Sequence, residues 1–410
     1  MKFNPKYIPL LGFAIICSCK SNVQKKTEDT ISTFKKGTFG YDLDFLKKKD
    51  TVIVLKSNDS LSQVIVSAKY QGKIFTSTAS GDTGKSFGWV NYKTFDAKVD
   101  PHMNAYGGED RLWLGPEGGK FSIFFKPGTK MEFANWFTPA AIDHESWNVV
   151  SKNGKQVSLV KDMILPNYTG STLMLKVNRD ISLLERDDIQ KALNIKLDDK
   201  TRSVGIKTNN SITNTGPMDW TAQTGAPCLW NLDMFTPSPG VIIVIPYNEK
   251  AKGKVATTDY FGQIPPDRVV FKNGHVFFKA DGKSRGKLGM PAVRSKGISG
   301  SYDAINNILT IALFDVDKNA TYLNQEWTPD KDPLIGDAVN AYNDGPLADG
   351  SQMGPFLEIE SVSSGAFLKP GKKLDHQHCI FHFTGDKGSL NDIAVKTLGV
   401  SLSDIESAFQ

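Results

Sequence analysis

Eight short segments dense in β-branched and aromatic residues, each set off by turn signals, constrain this chain more than any other feature. They are TVIVL at 51, QVIVSAKY at 63, KFSIFF at 120, STLMLKVN at 171, VIIVIPY at 241, ILTIALFDV at 308, FLEIESV at 356 and HCIFHF at 378. Segments of that length and composition are strand signals, and long stretches with 3.6-residue apolar spacing are scarce. The chain is therefore predicted to build antiparallel sheets rather than alternating strand–helix–strand units. Its 36 glycines and 20 prolines supply the turns such a fold needs, and a body of about 370 residues can bury a large core. The expectation is an all-β fold, a large antiparallel β-sandwich over residues 41–384, without internal repeats. The tail differs. Ser389-x-x-Asp392 and Ser401-x-x-Asp404 are capping-box-like starts twelve residues apart, with Gly399 placed to stop the first. Residues 385–410 are thus predicted to form a short helical C-terminal cap on the sandwich.

The chain begins MKFNPKYIPLLGFAIICSCKS: two lysines, an apolar run from Ile8 to Ile16, then Cys17-Ser18-Cys19. A basic start, a short apolar run and a small residue before cysteine read as a secretory signal, because the run is far below the roughly 20 residues that span a bilayer. The Ile-Cys-Ser-Cys ending resembles a bacterial lipobox. It implies a signal peptide over 1–18, acylation of Cys19 and a lipidated flexible leash over 19–40. The expected location is the bacterial cell envelope, periplasmic or surface side, with membrane contact through that anchor. Loss of residues 1–18 removes Lys2 and Lys6 and no acid, so the formal net charge falls from +5 to +3. So mild a balance, with basic residues scattered, gives no nucleic-acid footprint. Besides Cys19 only Cys228 and Cys379 remain, too few for a disulfide scaffold, and two separately buried thiols are favoured over a bridge between them.

Two motifs invite over-reading. ASGDTGKSFGWVNY, from Ala79, nearly spells a phosphate-binding loop. Ala79 stands where the first glycine is required, however, and a strand-like run follows Ser86 in place of the helix whose N-terminus would meet the phosphate. A polar hairpin loop is the expectation. KLDHQHCIFHF, residues 373–383, holds three of the six histidines. On a strand, His376, His378, Ile380 and His382 share one face, and Gln377, Cys379, Phe381 and Phe383 the other. His376 and His378 are near enough to share an ion, but His382 lies roughly 13 Å beyond His378. A two-histidine site would need ligands from elsewhere, such as Asp375. No metal and no cofactor is expected, and a metal-dependent enzyme using His376 and His378 stays as an alternative.

Three stretches in order carry a family resemblance: YGGEDRLWLGPEGGKFSIFF from Tyr106, NNSITNTGPMDWTAQTGAPCLWNLDMF from Asn209, and FLEIESVSSGAFLKPGKKLDHQHCIFHF from Phe356. Together they resemble the galactose mutarotase-like superfamily, and within it a bacterial lipoprotein branch, over roughly Tyr41 to Thr384. The resemblance implies the supersandwich of that superfamily, with a sugar-binding cleft across one face. Its epimerases use a glutamate on a late strand to take the proton from the anomeric hydroxyl and a histidine to protonate the ring oxygen. Such a pair needs one group ionised and one protonated near neutral pH. On this resemblance Glu360 is the candidate base, with Glu358 on the same strand face. The histidine's place falls in LWNLDMF, which has no histidine. His144 in AIDHESW and Asp233 are the substitutes, the latter needing a raised pKa.

Sugar binding alone asks for an aromatic face beneath the apolar side of a pyranose and polar groups reaching its hydroxyls. Arg111 beside Trp113, Trp230 beside Asn231, and Lys287 have that composition. In strand alternation Arg111 and Trp113 share a face, which suits a cleft better than a wholly apolar core. The expectation is an exported, lipid-anchored carbohydrate-binding protein, with aldose-epimerase-like or related sugar activity left open and protein partners unassigned. A noncatalytic structural or interaction role on the same scaffold is the alternative, since fold does not fix function.

Overall fold

A computed structural model describes residues 32–410; the expected signal, Cys19 and most of the expected leash lie outside the described residues. The folded body starts by Phe39, because the helix Phe39–Lys47 already buries Phe39, Leu43 and Leu46.

The strands among the described residues form three sheets, and every pairing between them is antiparallel. The largest has ten strands, in spatial order Val269–Lys272, His275–Lys279, Val241–Pro246, Ile298–Asp303, Ile308–Phe314, Lys373–Thr384, Arg202–Asn214, Thr172–Leu184, Gln156–Pro166 and Asn148–Lys152. The second has five, Gly286–Met290, Val339–Asn343, Leu357–Val362, Cys228–Phe235 and Arg111–Gly115. The third is a meander of Ile53–Lys56, Gln63–Ser67 and Lys73–Thr78. Local chemistry sets the hairpins. Asn273 and Gly274 both take positive φ (50° and 71°), the conformation of a two-residue turn, and this places Lys272 opposite His275.

Alternation then decides the layers. Along Thr172–Leu184, Leu173, Leu175, Val177, Arg179, Ile181 and Leu183 are buried, while the residues between them are exposed or half-buried. One face of the ten-stranded sheet packs on the five-stranded sheet: Ile243, Ile245, Phe278 and Ile380 lie against Leu288, Met290, Ala341 and Ile359. The opposite face is covered by helices. Cys379, Phe381 and Phe383 meet Leu390 and Ile393 of the helix Lys387–Thr397, Leu402 and Ile405 of Leu402–Glu406, and Ile189 of Arg186–Leu193. The strand Lys373–Thr384 is therefore buried on both sides, its apolar face under the helical cap and its histidines turned toward the five-stranded sheet.

Three details depart from, or refine, the sequence reading. KFSIFF is not a strand. Residues 120–125 are irregular, and their backbone groups are met locally, Ile123 N donating to the Pro116 carbonyl (3.2 Å) and Phe124 N to Ser122 Oγ (3.1 Å). With those polar groups satisfied, Phe121, Ile123, Phe124 and Phe125 are all buried without a ladder. The first tail helix starts three residues earlier than Ser389, since Asp386 is its N-cap and accepts from Ser389 N, whereas Ser401 caps the second by accepting from Asp404 N. Gly399, with φ of 77°, follows the end of the first. The near-phosphate loop from Ala79 is an irregular turn after the strand Lys73–Thr78, with no helix after Ser86. Cys228 and Cys379 are buried free thiols in different sheets.

Candidate functional site

The five-stranded sheet has two buried faces of different chemistry, and its pleat assigns each candidate residue that it carries to one of them. Trp113 stands directly across from Trp230, Leu232 lies between Arg111 and Glu360, and Glu358 pairs with Tyr342, which pairs in turn with Lys287. Residues two apart share a face. Arg111, Trp113, Trp230, Leu232, Glu358, Tyr342 and Lys287 accordingly line one cleft on the face turned away from the ten-stranded sheet. Connecting loops add Glu117, Trp136, Phe261 and Trp327 to its walls.

The floor of this cleft is a cluster of opposite charges against indole rings. Arg111 Nη2 donates to Glu358 Oε1 at 2.5 Å, and the guanidinium lies 4.8 Å from the centre of the Trp113 ring. Lys287 Nζ sits 4.5 Å over Trp230, 3.4 Å from Glu360 and 3.9 Å from Glu117. Trp230 Nε1 donates to Glu360 Oε2 at 2.8 Å, and the Trp113 and Trp230 rings meet edge to face at 5.7 Å. Burial pushes the Glu358 carboxyl up to about 7; the Arg111 guanidinium opposes this and the Glu360 carboxylate adds to it. Burial raises Glu117 as well, against the pull of Lys287. For Lys287, burial disfavours the ammonium, but Glu360, Glu117 and Glu358 outweigh it and hold the pKa above the ordinary lysine value. Buried polar atoms at this floor and wall without a hydrogen-bond partner include Arg111 Nε, Glu360 Oε1 and Trp136 Nε1. Buried polar groups are nearly always paired, so Arg111 Nε and Trp136 Nε1, on residues that line the cavity, are what a polar ligand would satisfy.

Glu360 belongs to this cluster without lining the open space. It is fully buried beneath Trp230 and Lys287 and positions both, while Glu358 and Glu117 are the carboxyls that face the cavity. The sequence reading chose between the two strand glutamates by resemblance. The structure brings Glu358 to the wall.

The other face of the sheet holds the remaining candidates. Asn231 and Asp233 alternate with Trp230 and Leu232, so they point between the sheets and do not reach the cleft. Asp233 Oδ2 lies 2.8 Å from His378 Nε2, His378 Nδ1 is 2.9 Å from Ser361 Oγ, and that hydroxyl is 2.8 Å from His376 Nε2. Burial raises Asp233 to about 7 against the pull of His378, and burial with the neighbouring His378 depresses His376 to about 3. Serine, histidine and aspartate in hydrogen-bonded series look like a nucleophilic triad. Ser361 and His378 are completely buried, however, so no substrate reaches that hydroxyl, and the series is a polar layer joining the sheets. Arg179 anchors its far end: Nη2 is 3.1 Å from Asp110 Oδ1 and Nη1 donates to Asn210 at 3.0 Å, while Asn231 donates to Asp110 at 2.8 Å. His376 and His378 thus spend ring nitrogens on Ser361, and no group of three or more potential metal ligands exists among the described residues. His382, apart from them, contacts Thr310 (2.8 Å) and Glu109 (3.2 Å).

His144 is not in the cleft either. It follows the short helix Ala140–Asp143, is partly exposed, and lies 3.2 Å from Asp143. The expected site residues that converge are therefore Arg111, Trp113, Trp230, Glu360 and Lys287. Sequence reasoning missed Glu117, Trp136, Tyr342 and Trp327. Glu117 had a signal, because in WLGPEGG it comes four residues after Trp113 and the glycines after it admit close approach: a Cβ on Gly118 would meet the Glu326 carbonyl oxygen at 2.3 Å. Trp136 and Trp327 come from irregular loops that carry no periodic signal.

Residues 37–409 match a family of unknown function, DUF6786. No curated protein sequence matches the chain. Among solved structures, the chain is similar to a galactose mutarotase-like protein from Lactobacillus casei, with 9% identity, a TM-score of 0.48, and coverage of 81% of this chain and 99% of that one. It is also similar to a galactose mutarotase related enzyme from Lactobacillus acidophilus, with 10% identity, a TM-score of 0.43, and coverage of 82% and 97%.

Proposed function

The chain belongs to the family of unknown function DUF6786, and from the geometry of its cleft we propose that it binds a carbohydrate. The observation that carries this reading is the pairing of aromatic walls with a charged floor that keeps unpaired polar atoms. Trp136, Trp327 and Phe261 give the cleft apolar walls against which the C–H side of a pyranose can pack, and Glu117, Glu358, Arg111 and Lys287 offer acceptors and donors to its hydroxyls. Arg111 and Lys287 are each already paired with carboxyls of the floor, so the floor calls for a ligand rich in hydroxyls rather than for an anion.

A catalytic form of the same reading is favoured by one observation: Glu358 faces the cavity with a pKa of about 7. A carboxyl poised there can give or take a proton near neutrality, which ring opening at an anomeric centre requires. Glu360 then acts as a positioning residue through Trp230 and Lys287. The lipobox-like start adds export and anchoring at Cys19 to the proposal. Among the described residues no helix is long and apolar enough to cross a membrane.

Calorimetric titration of residues 32–410 with a panel of mono- and disaccharides tests the binding. Saturable binding of at least one sugar is expected, and silence across the panel would sink the proposal. Polarimetry on the sugar that binds separates the two forms. The catalytic form requires accelerated mutarotation that Glu358→Gln abolishes, while a binder gives none in either protein. Anchoring is tested by Cys19→Ala, which should leave the signal uncleaved or release the protein from membranes; unchanged processing and fractionation would refute it.

A further inference from the structure

The charged cleft opens into a larger vestibule of different chemistry. The inner pocket holds about 90 Å³ of space and the vestibule about 580 Å³, and Met103, Trp136, Phe261, Trp327 and Met353 line both, so one ligand can pass from the first into the second. The outer volume is in the range of small-molecule sites. Three large apolar side chains that remain exposed converge on it, Phe133 (63%), Leu347 (46%) and Met353 (43%). Exposed apolar groups scattered singly are ordinary, but gathered round one cavity they mark a binding surface.

The faces of the Phe133 ring are taken, by His102 at 4.8 Å and by Trp136 at 6.0 Å. What the vestibule offers a ligand is therefore ring edges, the thioethers of Met103 and Met353, and Leu347. A chain of methylenes packs on such a surface, because it needs contact and no particular ring face. Most polar side chains of the lining are already spent within the protein. Thr94 Oγ1 donates to the Ala105 carbonyl (3.2 Å), Asn104 Nδ2 to Asp143 (2.7 Å) and Arg285 Nε to the Tyr342 hydroxyl (3.3 Å), while Asp344 accepts from Gly354 N (2.8 Å) and from Tyr342 (3.2 Å). Lys98 and Asp100 are exposed and keep their water. An apolar group entering here strands few polar ones. The inner pocket is the opposite case, with Arg111 Nε and Trp136 Nε1 as buried donors lacking partners, and Glu117 and Glu358 as acceptors in its lining.

We infer that the ligand is an amphiphile: a sugar head occupies the charged inner pocket and carries an alkyl or acyl chain that lies in the vestibule. This rests on the carbohydrate reading and specifies its ligand class. Burial fixes the direction, since Arg111 and Trp230 at the inner floor are buried while Phe133 and Leu347 around the chain are exposed. In the catalytic form the chain is borne on an oxygen other than the anomeric one, which must stay free.

The test is chain-length dependence at a constant head. Methyl and octyl glycosides of glucose, galactose and mannose, and the 6-O-acetyl and 6-O-octanoyl esters of the same sugars, are titrated calorimetrically into residues 32–410 below their micelle concentrations. For the sugar that binds, affinity is expected to rise at least about tenfold from the short to the long chain, since burying about two methylenes suffices for that factor. Leu347→Asp and Ala97→Glu each put a carboxylate on the vestibule lining, at exposed positions that do not line the inner pocket. Either should cut the gain toward unity, with the short-chain affinity of the same variant as internal reference for folding. 1-Octanol, the chain without a head, should bind at least about tenfold more weakly than the octyl or octanoyl sugar. Equal affinity for short and long chains, a gain untouched by both variants, or octanol binding as tightly as the long-chain sugar overturns this inference; the carbohydrate reading then stands or falls with the binding of the short-chain sugars. No binding by any probe overturns both.

Discussion

Glu358 offers a prediction whose sign alone discriminates. It is paired with Arg111 at 2.5 Å, which on its own would favour the carboxylate, yet burial beside Glu360 raises its pKa from the ordinary 4.5 to about 7. The charge inventory favours the second influence, since three buried carboxyls, Glu117, Glu358 and Glu360, share two buried cations, Arg111 and Lys287. A carboxyl that holds its proton more tightly folded than unfolded stabilises the fold fully below the unfolded pKa, and that contribution is lost as pH rises through the folded pKa. Moving from 4.5 to about 7 corresponds to roughly 3 kcal/mol. Glu358→Gln keeps the shape and an acceptor for Arg111 but removes the titration. Urea unfolding of parent and variant, at steps between about pH 4.5 and pH 8, should show the parent losing up to about 3 kcal/mol relative to the variant as pH rises. Other titrating groups, Asp233 among them, contribute to both proteins and cancel in the difference. If the Arg111 pair dominates instead, the carboxyl pKa falls below 4.5 and the parent gains on the variant with rising pH. That opposite slope, or a flat difference, would refute the assignment of Glu358 as the proton carrier of the cleft.

Trp113→Ala should cost about 3–5 kcal/mol in chemical denaturation, because the ring is 4% exposed and packs on Trp230 at 5.7 Å and Phe124 at 5.5 Å; a loss under about 1 kcal/mol would mean the ring is not part of the packed wall. Arg179→Met should destabilise by about 3–5 kcal/mol, since it strands the Asp110 carboxylate that Arg179 holds below its ordinary pKa against burial. Adding Asp110→Asn to that variant should restore part of the loss, and a single variant as stable as the parent would show the inter-sheet layer to be dispensable.

Strand content, antiparallel class and the helical tail were legible in the sequence because each depends on local chemistry: β-branched runs, turn glycines, and the Ser401 cap. Alternation was legible too, and it correctly put Arg111 with Trp113 and Glu358 with Glu360 on common faces. What alternation cannot say is what each face meets. KFSIFF has the composition of a strand, yet it packs as a buried turn because Ser122 Oγ and the Pro116 carbonyl satisfy its amides. Alternation put the histidines of Lys373–Thr384 on the less apolar face of a strand, but it did not show that both sides of that strand are covered, by helices on one and by the five-stranded sheet on the other. Trp230 and Asn231 are neighbours in the chain and part company in space, one into the cleft and the other into the inter-sheet layer. The sequence by itself determined which residues sit side by side on a strand, since that follows from a backbone with a period of two. Only the tertiary structure decided that Glu117, Trp136 and Trp327, carried on loops, close over Glu358, because loop paths follow from long-range packing that no local pattern encodes.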